Sequence, residues 1–163
     1  MSFCRAGTAA LAAAMTLSGA ANARAAMPTP PQTADNHILV GGVVGFAFKR
    51  KLAFCTLKDG KPFSFQTPDP DASPPAESGP PDVAVYMQDG AWTVEIHTYD
   101  RRDFEKDNAS GITIDSMPGG NWRVELHNIK MDERETMNLD YASVSGIITC
   151  TRYFDLDLIK PSQ

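Results

Sequence analysis

A six-residue phrase occurs twice in this chain, as WTVEIH at residues 92–97 and as WRVELH at residues 122–127. Each copy follows a turn motif that ends in glycine, at Gly90 and at Gly120. A turn glycine followed by alternating apolar and polar residues is typical of a β-hairpin. The repeat therefore predicts two similar hairpins in a fold made of antiparallel strands.

Turn motifs divide the rest of the chain into short, strand-like segments. The three strongest are Lys58-Asp59-Gly60, Asp89-Gly90 and Pro118-Gly119-Gly120. Residues 37–48 are apolar with internal glycines and predict one bent strand, whereas the charged residues 99–110 predict a solvated loop or one short helical turn. A count of about eight to ten short strands predicts a mostly β domain, either an antiparallel β-sandwich or an open barrel.

The N-terminal residues have a composition unlike the rest of the chain. A positive start, an apolar run over residues 6–20 and small residues around Ala23 and Ala25 predict a secretory signal peptide at 1–25. A flexible leader at 26–36 and a single β domain at 37–163 follow, with a proline-rich loop at 67–82. We therefore expect a secreted or periplasmic protein of the cell envelope.

Cleavage of the signal would change the charge of the chain. The whole chain carries a net charge of −5, and loss of Arg5 and Arg24 leaves 13 basic and 20 acidic residues. A chain this acidic has no general attraction for nucleic acid or anionic lipid. No later segment reaches the roughly 20 apolar residues that a spanning helix needs, so we expect no transmembrane anchor.

Cleavage would also remove Cys4 and leave two cysteines, Cys55 and Cys150. An even pair in an oxidising compartment predicts one intradomain disulfide. The alternative is two buried free thiols.

The repeated phrase places a glutamate and a histidine on one face of each strand. Glu95 with His97, and Glu125 with His127, lie opposite to the apolar residues that must face the core. Together they are a possible ligand or metal site, because imidazole and carboxylate suit zinc or copper. In a simple meander one strand separates the two pairs by roughly 10 Å, which favours solvated Glu–His pairs over one shared ion.

The chain contains no recognisable catalytic motif. A nucleophile elbow, a phosphate-binding loop and a zinc-protease motif are all missing from the sequence. We therefore expect a non-enzymatic protein with no catalytic residues, no bound metal and no cofactor.

Several short motifs follow one another in a fixed order over residues 40–150. They are Cys55 followed by Gly60, alternating Phe63 and Phe65, VAVYMQDG at 83–90, GNWRV at 120–124 and GIITC at 146–150. This order resembles the mycobacterial surface lipoprotein antigen family. The resemblance implies a small β domain that joins its first and last cysteines and has a role in surface interaction or apolar ligand contact. The chain departs from that family at Ala20, where the family carries its acylated cysteine. This departure implies a soluble or periplasmic form without a lipid anchor.

The leading functional hypothesis is a protein that binds an unknown envelope protein or an apolar small molecule. The predicted contact regions are the proline-rich loop, the charged residues 100–107 and a groove beside Phe46 and Phe48. The alternative is a metal- or small-molecule-binding module that uses the paired Glu and His strands.

Overall fold

A computed structural model describes residues 34–67, 80–134 and 140–159. The predicted signal peptide, most of the leader and most of the proline-rich loop lie outside these ranges. The described residues form eleven strands: β1 Asn36–Gly42, β2 Phe46–Arg50, β3 Phe54–Lys58, β4 Lys61–Thr67, β5 Asp82–Gln88, β6 Ala91–His97, β7 Asp103–Lys106, β8 Ile112–Ser116, β9 Trp122–Glu133, β10 Tyr141–Thr149 and β11 Arg152–Asp155. Single 3-10 turns lie at Pro118–Gly120 and Leu156–Leu158.

The strands form one sheet that curls into a half-barrel, in the order β11-β3-β4-β5-β6-β7-β9-β10-β1-β2, with β8 paired to β9. All neighbouring strands are antiparallel except β11 and β3, which are parallel. The mostly β class is confirmed, and of the two predicted architectures the open barrel is correct. Over the described ranges the model contains no helix long and apolar enough to cross a membrane.

The predicted hairpin turns are correct at all three motifs. Asp59 and Gly60 both have positive φ angles, of 51° and 69°, as do Asp89 and Gly90, of 49° and 83°. Two successive positive φ angles define the turn whose twist matches that of paired strands. The local Asp-Gly chemistry therefore determines how β3 joins β4 and how β5 joins β6.

Two predicted segments differ from the structure. Residues 37–48 do not form one bent strand, because the chain reverses after Gly42 and β1 pairs with β2. The charged segment 99–110 is not simply a solvated loop, because Asp103–Lys106 forms β7 between β6 and β9. Phe104 is fully buried there, and this single apolar anchor holds the strand in the sheet.

The concave side of the sheet holds the core. Alternate residues of each strand supply it, and the largest fully buried side chains include Phe65, Phe104, Ile38, Ile96, Met131 and Ile148. The predicted disulfide is confirmed: Cys55 and Cys150 are bonded, with their Cα atoms 5.7 Å apart, and both are fully buried.

The long strand β9 has different partners along its length. Trp122 to Leu126 pair with β8, whereas Asp132 and Glu133 pair with β7 on the same side. Among the described strands, Ile129, Lys130 and Met131 therefore pair only with β10, and His127 and Asn128 are aligned with no residue of another strand. We call this place the sheet split: residues 127–131 of β9 with the facing ends of β7 and β8. A β-bulge coincides with it, since the β9–β10 register shifts between Val144 and Gly146 and Asn128 has a φ of +50°.

Candidate functional site

The repeated phrase has the two faces that strand alternation predicts. Val94, Ile96, Val124 and Leu126 are buried in the core, and both tryptophans pack against it. The glutamate and histidine of each copy lie on the outer face of the sheet. The side chains that surround the Glu–His pair differ between the two copies.

His97 is held between two carboxylates at the end of β6. Its Nδ1 lies 2.6 Å from Oδ1 of Asp82, and its Nε2 lies 3.9 Å from Oδ1 of Asp103. Burial by itself lowers the pKa of His97, but the hydrogen bond to Asp82 and the negative charges of Asp82, Asp103 and Glu95 outweigh it. The pKa of His97 is therefore raised above its ordinary value of 6.5.

Glu95 belongs to a separate network two residues earlier. Its Oε1 accepts hydrogen bonds from the Tyr86 hydroxyl at 2.9 Å and from Nη1 of Arg134 at 3.2 Å. Arg134 also places Nε 3.2 Å from Glu105, which lies directly opposite Glu95 on β7. Burial, the hydrogen bond to Glu95 and the charges of both glutamates raise the pKa of Tyr86.

Glu125 and His127 have partners on β8 and β9. Arg123 Nη2 lies 2.9 Å from Glu125 and 3.2 Å from Asp115. The Nε2 atom of His127 lies 3.3 Å from the Thr113 hydroxyl and 3.9 Å from Oε2 of Glu125. Both neighbours approach the same ring nitrogen.

The two Glu–His pairs do not come together. Glu95 is aligned with Glu105, and Glu105 with Asp132 on β9. Glu125 lies seven positions before Asp132, which is roughly 20 Å along the strand at about 3.3 Å per residue. The predicted spacing of about 10 Å is wrong, because β7 pairs with the far end of β9. Among the described residues no group of three or more His, Cys, Asp or Glu side chains could hold a metal ion.

The predicted aromatic groove is only partly a surface feature. Phe48 is buried in the core, beneath the Arg50 guanidinium, which lies 5.4 Å from its ring centroid. Phe46 is half-buried and packs against Tyr99, with ring centroids 5.8 Å apart. These aromatic side chains therefore pack on one another and do not line an open groove. The proline-rich loop, another predicted contact region, lies largely outside the described residues.

Three surface clefts converge on the end of β7, at residues 105–108. The largest, of about 320 Å³, lies in the sheet split and is lined by Lys106, Ser110, Gly111, His127, Asn128, Ile129 and Lys130. A second, of about 270 Å³, is lined by charged residues from Glu105 to Asp107 and from Asp132 to Arg134. A third, of about 130 Å³, lies between Asp107, Asn108 and the β5–β6 turn. We refer to the three together as the β7 clefts.

One side of this site is predicted from the sequence, and the other side is not. The charged residues 100–107 were predicted as a contact region, and His127 as a ligand residue. Lys130 and the bulge at Asn128 were missed, because strand pairing brings β7, β8 and β9 together here. No local signal in the sequence marks Lys130, because the chain has 15 lysine and arginine residues and only strand pairing places this one beside β7.

Comparisons with family models, curated proteins and solved structures found no match. The resemblance to mycobacterial surface lipoprotein antigens therefore remains a prediction.

Proposed function

We propose that this chain is an exported, non-enzymatic protein of the cell envelope that binds a partner at the β7 clefts. The observation that carries the proposal is the convergence of three clefts on residues 105–108. Ligand sites are usually surface concavities in which a few polar groups fix the orientation of the ligand. A strand end that borders all three clefts is therefore the best candidate contact region on the described surface.

The arrangement of the histidines supports binding over catalysis. A histidine base needs a nucleophile on one ring nitrogen and an orienting carboxylate on the other. At His127 the Thr113 hydroxyl and Glu125 both approach Nε2. At His97 the two ring nitrogens face Asp82 and Asp103, so both neighbours are carboxylates. Neither arrangement provides an activated nucleophile.

The packing of the half-barrel favours surface contact over an enclosed apolar ligand. The concave face is filled by large buried side chains such as Phe65, Phe104 and Met131. The three clefts described above lie at the surface and are lined largely by polar groups. A partner that contacts this protein would therefore meet charged and hydrogen-bonding side chains first.

Export is supported by the composition of residues 1–25 and by the disulfide. A disulfide between Cys55 and Cys150 is typical of proteins that fold in an oxidising compartment. Cell fractionation of the full chain tests this part of the proposal: we expect a shortened, disulfide-bonded protein outside the cytoplasm. Recovery of the full-length, reduced chain in the cytoplasm would contradict it.

Site-specific photocrosslinking in the producing cells tests the binding site. We would place a photoreactive amino acid at Ser110, which lines the largest cleft, and at exposed Gln66 on β4 as the matched control. A discrete crosslinked species is expected with the Ser110 probe alone. Identical products from both positions, or none from Ser110, would remove the β7 clefts as the binding site.

A further inference from the structure

We infer that the largest of the β7 clefts, the one in the sheet split, binds a phosphate group. This inference rests on the proposed binding function and adds the chemical class of the ligand. It follows from three features of the cleft: the donors that line it, the carboxylates that lie outside it, and the unpaired main chain of β9.

Five side chains of the cleft can donate hydrogen bonds. The residues that line it include Lys106 and Lys130 with ammonium groups, His127 with an imidazole, Asn128 with a carboxamide and Ser110 with a hydroxyl. The Lys130 ammonium lies 5.9 Å from the centroid of the Tyr141 ring on β10, a contact that a phosphate would have to compete with. No carboxylate is among the residues that line the cleft. A phosphate has several acceptor oxygens and favours charge-assisted bonds to lysine, so it can use more of these donors at once than a carboxylate can.

Two carboxylates that neighbour the lining residues, Glu125 and Asp132, already have cationic neighbours, and Asp107 accepts a hydrogen bond from the Thr93 hydroxyl. Glu125, beside His127, lies 2.9 Å from the Arg123 guanidinium. Asp132 lies 3.8 Å from Lys106, and its side chain is 84% exposed. An ion pair this exposed contributes little energy, so a phosphate can compete for Lys106. The residues that line the cleft therefore carry a net positive charge, within a chain whose net charge is −5.

The main chain of β9 adds a donor to the cleft. The Arg134 amide donates to the Asp103 carbonyl, so it faces β7. Alternation along the strand points the amides of Asp132 and Lys130 to the same side. The β7 ladder ends at Asp132, which leaves the amide of Lys130 facing the split with no described strand opposite.

Gly111 sets the width of the cleft. A Cβ atom at this position would lie 2.9 Å from the His127 carbonyl oxygen, so only glycine lets the chain before β8 approach β9 this closely. The resulting volume of about 320 Å³ is at the lower limit of small-ligand sites. It suits a phosphate with a small substituent.

Titration of the ¹⁵N-labelled, disulfide-bonded protein with inorganic phosphate tests the inference. We expect amide shifts concentrated at Ser110, Gly111, Asn128 and Lys130, with a single dissociation constant. The double variant Lys106→Gln, Lys130→Gln should bind at least tenfold more weakly. The matched control, Lys58→Gln with Lys61→Gln at the β3–β4 turn, removes the same charge and should bind like the unmodified protein. Equal weakening in both variants, or shifts spread over all lysines, would overturn the inference.

Two further probes define the source of the phosphate. Acetate should bind at least tenfold more weakly than phosphate, and equal binding would overturn the choice of phosphate over carboxylate. Phosphatidylglycerol vesicles that sediment the protein through the same two lysines, when phosphatidylcholine vesicles do not, would identify a lipid headgroup. Binding of inorganic phosphate without vesicle binding would identify a soluble ligand.

The failure of this inference is distinguishable from failure of the proposed function. If phosphate shifts no amide in the sheet split, the ligand class is wrong, whereas crosslinking from Ser110 still reports on whether a partner contacts the clefts.

Discussion

Cys55 and Cys150 are covalently joined although five strands separate β3 from β10 along the sheet. Thr151 reinforces the same junction: its hydroxyl accepts from the Ala53 amide at 2.7 Å and donates to the Ala53 carbonyl at 2.9 Å. The disulfide and the Thr151 hydrogen bonds thus hold the segment between β10 and β11 against the chain at β3, inside the core of one curled sheet.

Replacement of both cysteines by serine should lower the free energy of unfolding by about 4–5 kcal/mol, because the bond closes a long loop in the unfolded chain. The sequence separation of 95 residues sets this value. Urea denaturation of the native protein and of the double variant measures it. Dithiothreitol should destabilise the native protein by a similar amount and leave the double variant unchanged, and an equal effect on both would contradict the assignment.

Phe104→Ala should lower the free energy of unfolding by about 3–5 kcal/mol, because it leaves a large cavity in the core. Tyr99→Ala is the matched control in the same charged segment: Tyr99 is 68% exposed, so we expect a change below about 1 kcal/mol. Chemical denaturation of both variants gives the comparison. Similar small losses would mean that β7 is not anchored in the sheet.

His97→Gln should reduce stability more at low pH than at high pH. The raised pKa of His97 means that the folded protein favours the protonated ring. This contribution is fully present below the unfolded pKa of about 6.5 and is lost as the pH rises through the folded pKa. Because the side chain is 41% exposed, we expect a difference of about 1 kcal/mol or less at pH 5.5, which shrinks by pH 9.

Urea denaturation at the two pH values measures the effect of His97→Gln. Asp82→Asn is the control, because loss of the partner carboxylate should remove most of the same pH dependence. A difference that grows toward pH 9 would mean that the neutral ring is the form favoured in the folded protein.

Arg134→Gln should destabilise the protein by about 1 kcal/mol or less at low ionic strength, because Glu95 and Glu105 lie directly opposite each other and lose their shared cation. Addition of Glu105→Gln should restore part of the loss. A double-mutant cycle by denaturation measures the coupling, which should weaken in 1 M salt. A coupling of zero in low salt would show that the three side chains act independently.

Gly146→Ala should lower the free energy of unfolding by about 1–3 kcal/mol through overpacking. An added Cβ would lie 2.3 Å from the His37 carbonyl oxygen and 2.9 Å from the Ile38 Cα, and main-chain atoms cannot move aside easily. At Gly45 the nearest atoms are 4.0 Å away, so Gly45→Ala is the control and should change stability little. Faster amide exchange in β1 of the Gly146 variant would locate the effect.

The parts of the fold that sequence analysis predicted depend on local chemistry. The Asp-Gly turns at residues 59–60 and 89–90 adopt positive φ angles because these residue types tolerate them. The alternation of side chains along a strand assigns a face to each residue of β6 and β9. The disulfide is predicted from the two cysteines, Cys55 and Cys150, that lie outside the proposed signal peptide. The turns and the strand faces depend only on a few neighbouring residues, so they can be predicted from the sequence.

The parts that sequence analysis missed depend on contacts between distant segments. β7 has one buried apolar residue, Phe104, among charged ones, so its strand conformation follows from pairing with β6 and β9. The order of strands and the sheet split likewise arise from tertiary pairing. For this reason, spacing along the chain could not predict the distance between Glu95 and Glu125. It also could not predict that Lys106 and Lys130 line the same cleft.

The pairing of β1 with β10 and of β3 with β11 also has a consequence for biosynthesis. Both early strands need partners from the last quarter of the chain, so a nascent polypeptide that ends before residue 140 cannot complete the sheet. Such long-range pairing makes folding slow and delays it until synthesis is almost finished. If the proposed export takes place, a chain that is still unfolded when its synthesis ends could pass through a channel that admits only unfolded polypeptide.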